Sequence, residues 1–286
     1  REMAGEGDAA RAVTERRISS VMICHAEEPL HADVMARWLN ARTELRGIVR
    51  IHDSRGAFWR RVRREWRRSG TLGMLDILAF RVYYRLRLAA EDEAWHERTI
   101  AAMREHWPEV PSSIPVLDVV SPNSAESEKF IRDCAPDVTL ALSKHLLAAR
   151  IFEIPRAGTF VCHAGITPEY RNAHGCFWAM ANGDFEKVGM TLLRIDRGVD
   201  TGPVFGYFSY PYDPRRESHI EIQHRVVLDN LDAIADTLER IVAGDASPIP
   251  VDGRSSGAWG QPHLSAYLRL RKNLRHSNAF PRPRVS

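Results

Sequence analysis

The 286-residue sequence predicts an α/β fold: a mostly parallel twisted sheet with helices on both faces. Three observations lead there. The chain opens with a β-α-β pattern, short apolar strand-like runs alternate with helix-period segments through the middle, and one such run ends in a histidine followed by a Gly/Pro-rich turn. Open α/β sheets build their sites at the carboxyl ends of strands.

Residues 1–17 are polar and rich in Ala, Gly and Arg, as expected of a disordered leader. Residues 18–24 read as a short buried strand. A helix over 29–41 turns Val34, Trp38 and Leu39 inward, and 47–52 form a second strand. The first turn, His25-Ala26-Glu27-Glu28-Pro29, has no GxGxxG, which removes the main support for a nicotinamide-cofactor domain. Residues 55–107 read as a helical insertion, with Phe58, Trp59, Val62 and Trp66 on one face and arginines on the other. The α/β alternation then resumes: a strand over 114–120, a helix over 124–133, a strand over 138–142, a short helix over 145–152 and the histidine-bearing strand over 158–163. A helix over 178–182 ends at Gly183, and strands follow over 189–196 and 203–210. Ser218-His219-Ile220-Glu221 is a capping box opening a helix whose Val227, Leu231, Ile234, Leu238 and Ile241 line one stripe to Gly244. The α/β domain, with the helical insertion at 55–107, is therefore placed at 18–244. Residues 245–286 form a basic C-terminal extension with one short helix near 264–274.

A 44% hydrophobic content supports an ordinary core, and a net charge of +3 is too small to argue for nucleic acid. The charge is unevenly placed. Residues 55–68 carry seven arginines against Glu65, leaving a solvated helix face and an anionic partner as alternatives, and only basic charges follow Asp252. Cys24, Cys134, Cys162 and Cys176 lack CxxC or zinc spacing, the histidines lack ligand spacing, and no metal site is expected. With no secretory or membrane-spanning pattern, the expected location is cytoplasmic.

The most informative stretch is Thr159-Phe160-Val161-Cys162-His163-Ala164-Gly165-Ile166-Thr167-Pro168-Glu169-Tyr170-Arg171-Asn172, followed by Gly198-Val199-Asp200-Thr201-Gly202. Strand alternation puts Val161 and His163 on one face and turns Cys162 toward the core, away from a Cys-His nucleophile arrangement. Gly198 and Gly202 read as turn glycines holding Asp200.

These two segments resemble the formyltransferase family that uses 10-formyltetrahydrofolate, whose pattern is Asn-x-His, Ser-Leu-Leu-Pro-x-Tyr-Arg-Gly and a later Asp-x-Gly turn. The resemblance spans about residues 114–244 and implies a Rossmann-like fold and formyl transfer to an amine. By that resemblance His163 and Asp200 are catalytic. Gly165, Ile166, Thr167 and Pro168 receive the co-substrate, while Val161, Tyr170, Arg171 and His174 touch substrate or support those that do. Val161 departs from the pattern, because valine has no donor where the family has asparagine. His174 or a backbone N–H of the Gly165 loop is a candidate replacement donor; the alternatives are slow transfer, altered chemistry or binding alone.

The expected reaction is transfer to a small primary amine, with an amino sugar or specialised-metabolite amine favoured. Too few residues follow Gly244 for the extra domain that the transfer-RNA enzymes carry, so a nucleic-acid partner is not expected. Hydrolysis of 10-formyltetrahydrofolate, another acyl transfer, or a non-catalytic folate-binding role stay open. So does self-association into a homo-oligomer.

Overall fold

The computed structural model describes residues 17–52 and 55–277; the expected leader lies outside them apart from Arg17. β1 (Ser19–His25) is buried along its whole length and leads into a π-helical turn (Leu30–Met35) that continues as α1 (Ala36–Arg42). Leu30, Val34, Trp38 and Leu39 supply the inward stripe, and β2 (Glu44–Ile51) returns parallel to β1. α2 (Arg55–Arg87) and α3 (Ala89–His106) form the insertion; α2 is kinked at Gly70, whose φ of 67° suits glycine.

β3 (Val116–Val119), α4 (Ala125–Cys134), β4 (Val138–Leu142), α5 (Ala149–Phe152) and β5 (Gly158–His163) complete the parallel part of the sheet. The short β6 (Arg171–Asn172) and α6 (Gly175–Asn182) follow, with Gly183 closing α6 at φ 83°. β7 (Met190–Arg194) runs antiparallel to β5, and β8 (Val204–Phe208) antiparallel to β7. The seven-stranded order is β3-β2-β1-β4-β5-β7-β8. Chain order reverses between β1 and β4, which opens a crevice at their carboxyl ends.

The stripe expected as one helix from Ser218 to Gly244 is two, α7 (His219–Leu228) and α8 (Leu231–Ala243). Asn230 marks the break, its side-chain amide donating to the carbonyls of Ser209 (3.2 Å) and Val226 (3.0 Å) and so competing with continued helix. The capping box is present: Ser218 Oγ accepts from the Glu221 N–H at 3.0 Å. α5 starts later than the expected 145, because Asn123 Oδ1 holds the Ala148 N–H at 2.7 Å in extended backbone.

The C-terminal extension is packed into the body. β9 (Ala258–Trp259) pairs with β6, and α9 (Leu264–His276) buries Ala266, Tyr267, Leu270 and Leu274 in the larger of two cores. That core covers one sheet face, where Trp38, Phe160 and Phe177 are fully buried. The smaller core joins the other face to α4 and α5 through Ile131, Ile151 and Phe152.

Candidate active site

β5 delivers His163 to the carboxyl edge of the sheet, where it is almost fully buried. Its Nε2 lies 2.7 Å from the carbonyl of Tyr170. A carbonyl can only accept, so Nε2 carries the proton and Nδ1 is the basic nitrogen of the neutral ring. Nδ1 faces Asp200 Oδ2 at 3.5 Å. The two residues that the sequence singled out as a pair are thus brought together.

The backbone around them is unusual. Four non-glycine residues among those described have positive φ, and three, Asn172 (76°), His174 (54°) and Asp200 (50°), surround His163. Such conformations persist where the surroundings over-determine them. Asp200 Oδ2 accepts from the Asn172 N–H at 2.7 Å, while Arg171 donates to the Val199 carbonyl at 3.0 Å. Asp196 Oδ1 accepts from the Gly198 N–H (2.9 Å) and Thr201 Oγ1 (2.7 Å), pinning the turn that presents Asp200.

The loop Gly165-Ile166-Thr167-Pro168 lies under the site. A Cβ at Gly165 would come 2.7 Å from His163 Nε2 and 2.9 Å from Gly175 Cα, so the loop and the start of α6 pass at a distance only glycine permits. The Gly165 N–H is spent on the His163 carbonyl (2.9 Å), the Thr167 N–H on Thr191 Oγ1 (3.0 Å), and the Thr167 carbonyl on the Tyr207 hydroxyl (2.7 Å). The Ile166 side chain packs beside Gly189. None of the four residues lines the large cavity described next.

That cavity, about 1040 Å³, sits over the carboxyl ends of β1, β4 and β5, at the reversal of strand order. His163, Asn172 and His174 stand on its wall with Gln223 of α7 and Gln261. Leu142 and Lys144 come from the end of β4, and Val62, Trp66, Met74 and Ile77 of α2 close the opposite side. Glu28 pairs with Lys144 and, at 3.0 Å, with His31 Nδ1; hydrogen bonds from these two hold its carboxyl well below the ordinary range despite burial.

Two expectations about β5 change. Cys162, assigned to the core, lines the cavity, whereas Val161 does not; Val161 stands opposite Leu193 of β7. Alternation still holds, since Phe160 and Cys162 share the face of the larger core, but that face opens onto the cavity at the strand end. Burial pushes the Cys162 thiol up to about 12, so it is a neutral thiol and not a nucleophilic thiolate.

His174 is the further polar group of interest. Burial pushes it down to about 4, against opposing lifts from Gln223 and Gln261, so it is neutral at pH 7. Among the described residues its Nδ1 and the Gln223 Oε1 meet no partner in strict hydrogen-bond geometry, although Gln223 and Gln261 lie close enough to His174 to oppose the effect of burial, and His174 and Gln223 both line the cavity. Two such polar atoms in a lined cavity fit a polar ligand that satisfies them. Tyr170 is structural in its side chain: its hydroxyl binds Asp184 and its ring stacks on Trp259, with centroids 5.7 Å apart.

Sequence reasoning missed the clasp on this loop. Arg254 makes two hydrogen bonds to the Glu169 carboxylate (3.1 and 2.7 Å), Trp259 Nε1 donates to the Glu169 carbonyl (2.8 Å), and the Gly257 N–H donates to the Pro168 carbonyl (3.0 Å). Gln223 was also missed, although the helical register that places Val227 inward puts it one turn earlier.

A carboxyl-end crevice lined by a histidine that faces a carboxylate is a place where an α/β protein can position proton-transfer groups. No family model matches the chain. Curated relatives include methionyl-tRNA formyltransferases. That of Bacteroides fragilis is 30% identical over 169 residues, covering 53% of this chain and 52% of the relative. That of Sorangium cellulosum is 31% identical over 142 residues, covering 49% and 44%. The chain thus spans about half the length of the curated relatives it matches. Among solved structures, a sugar N-formyltransferase from a Shewanella species aligns with a TM-score of 0.50 at 11% identity, covering 90% of this chain and 86% of that one. Phosphoribosylglycinamide formyltransferase from Anaplasma phagocytophilum aligns with a TM-score of 0.51 at 10% identity, covering 86% and 100%. These likenesses give the fold, a mostly parallel α/β sheet of the formyltransferase kind, and the chain is related in sequence to the formyltransferase family.

Proposed function

We propose that the protein is an N-formyltransferase that moves a formyl group from 10-formyltetrahydrofolate to a small primary amine. The observation that carries this reading is the His163–Asp200 pair, with Nδ1 as the basic nitrogen, at the edge of a cavity that His174 also lines. Sequence kinship to formyltransferases supports the reaction class. An amino sugar or a specialised-metabolite amine remains the favoured acceptor over transfer RNA. At about 1040 Å³ the cavity is at the upper end of ordinary ligand sites, with room for a donor and an acceptor together.

The donor supplies the formyl carbon as an activated amide. In the chain's part of the reaction, the acceptor nitrogen bonds to that carbon and loses a proton to His163 Nδ1. Asp200, 3.5 Å away, stabilises the resulting imidazolium. As the bond to the donor nitrogen breaks, the proton passes to that nitrogen, so protons and bonds balance. The oxygen that gains charge in between needs a donor. The Gly165 and Thr167 N–H groups are already committed, which favours His174, on the cavity wall, for this role in place of the asparagine absent at Val161. The Gly165–Pro168 loop serves the co-substrate indirectly, by fixing His163 through the Tyr170 carbonyl.

The test is the conversion of 10-formyltetrahydrofolate to tetrahydrofolate, followed optically with and without an amine panel. Amine-dependent conversion that is lost in His163→Gln is expected. Conversion that ignores the amine would mean a hydrolase, and no conversion with any amine would overturn the reading.

A further inference from the structure

Of the thirteen large hydrophobic residues exposed among those described, seven lie on α2. In its second half they form a stripe. Leu72 (83% exposed), Leu75 (57%), Val82 (60%) and Leu86 (74%), with Ala79, recur at alternating spacings of three and four residues. The opposite side buries Met74, Ile77 and Phe80 against the protein. Both long faces of this half-helix are therefore apolar, and among the described residues only one of them is covered. Monomeric proteins rarely leave such a row open, and an open row marks an interaction surface.

The charge on the same helix says what kind of surface fits. α2 holds ten arginines against Glu65 and Asp76. Arg63, Arg67, Arg85 and Arg87 are exposed, whereas Arg64, Arg81 and Trp66, though partly exposed, line the cavity. α9, packed against α2 through Tyr267 on Phe80 and Tyr83, adds exposed Leu268, Arg271, Lys272 and Arg275. A second copy of the chain would bring two arginine-rich helices together, which their like charge opposes. A nucleic acid would satisfy the arginines but offers no apolar depth for four bare aliphatic side chains. An anionic bilayer surface satisfies both, with aliphatic side chains in the acyl boundary and guanidinium groups among the headgroup phosphates.

We propose that the exposed face of α2, flanked by α9, docks on an anionic lipid surface. The inner side of the same helix walls the cavity through Val62, Trp66, Met74 and Ile77. Docking would thus set the cavity at the lipid boundary, within reach of a molecule presented there. This surface stands apart from the catalytic reading; it would bind lipid whether or not the cavity transfers formyl groups.

The test is flotation of the full chain with phosphatidylcholine vesicles, with and without phosphatidylglycerol. The comparison variants are Leu75→Glu/Val82→Glu, which alter only exposed side chains outside the cavity, and Arg63→Gln/Arg67→Gln. The wild type should float only with vesicles containing phosphatidylglycerol, and less at high salt. The arginine pair should lower partition by about fivefold per arginine removed. The leucine–valine pair should abolish flotation while keeping the wild-type circular dichroism and melting temperature. Absence of flotation would overturn the proposal. If the protein instead bound RNA without floating, the face would be a nucleic-acid surface. If it formed a dimer that Leu75→Glu/Val82→Glu dissociates, again without floating, the partner would be a second copy.

Discussion

His163 is held at one ring nitrogen, Nε2, by the carbonyl of Tyr170 at 2.7 Å, and its Nδ1 faces Asp200 Oδ2 at 3.5 Å. The first contact fixes the tautomer, and the second places a carboxylate beside Nδ1. A separation of 3.5 Å between Nδ1 and a carboxylate is long for a hydrogen bond, so the pair tightens when Nδ1 gains a proton. His163 and Asp200 should then behave as one unit. His163→Gln and Asp200→Asn should each lower kcat by about 100–10000-fold, the range for a general base. The double variant should be little worse than either. Steady-state kinetics of the three variants checks this, and additive losses would show that the residues act separately.

The oxyanion donor gives a prediction of opposite sign at two positions. His174→Ala should cost about 100–1000-fold in kcat, the value of one such donor. Val161→Asn should gain little, because Val161 does not line the cavity. A large gain from Val161→Asn with His174→Ala neutral would assign the donor role to the strand.

Gly165→Ala tests how the loop acts. The added methyl would crowd His163 Nε2 and Gly175 Cα, so it should displace the imidazole and lower both kcat and melting temperature. A variant that only weakened folate binding, with kcat and melting temperature intact, would mean that the loop touches the co-substrate directly.

Acid stability should be steep. Burial holds His219 and His224 down to about 3 and His174 down to about 4. Each is neutral in the folded chain while the unfolded chain binds a proton below about 6.5. Stability is therefore full above that pH and falls as pH drops toward 3–4, by up to about 1.4 kcal/mol per pH unit for each histidine. Chemical denaturation across this range checks the slope. His219→Gln should make it shallower by one proton's worth, and an unchanged slope would mean that His219 is already protonated in the fold.

The fold was legible because its strands are short, apolar and punctuated, and the histidine at the end of β5 follows from that pattern. The pairing of His163 with Asp200 was legible only through the resemblance to the formyltransferase pattern; the turn glycines marked the turn that holds Asp200, and a Cβ at Gly202 would run into the Arg194 backbone. The cavity wall was not. Periodicity placed arginines and aromatics on opposite faces of α2 but carries no sign of which face meets the sheet. The division of α7 from α8 hid in Asn230, whose side chain binds the Ser209 carbonyl of another segment as well as the Val226 carbonyl of α7. The clasp of Arg254 and Trp259 joins residues some 85 to 90 positions apart, beyond the reach of any local pattern.

The fate of a labelled formyl group bears most directly on the central claim. With 10-formyltetrahydrofolate carrying carbon-13 in its formyl group and the acceptor panel present, the label should appear as a formamide on an amine, matched one for one by tetrahydrofolate, and His163→Gln should abolish it. Label recovered only as formate, or left on the donor while His163→Gln changes nothing, would contradict the account.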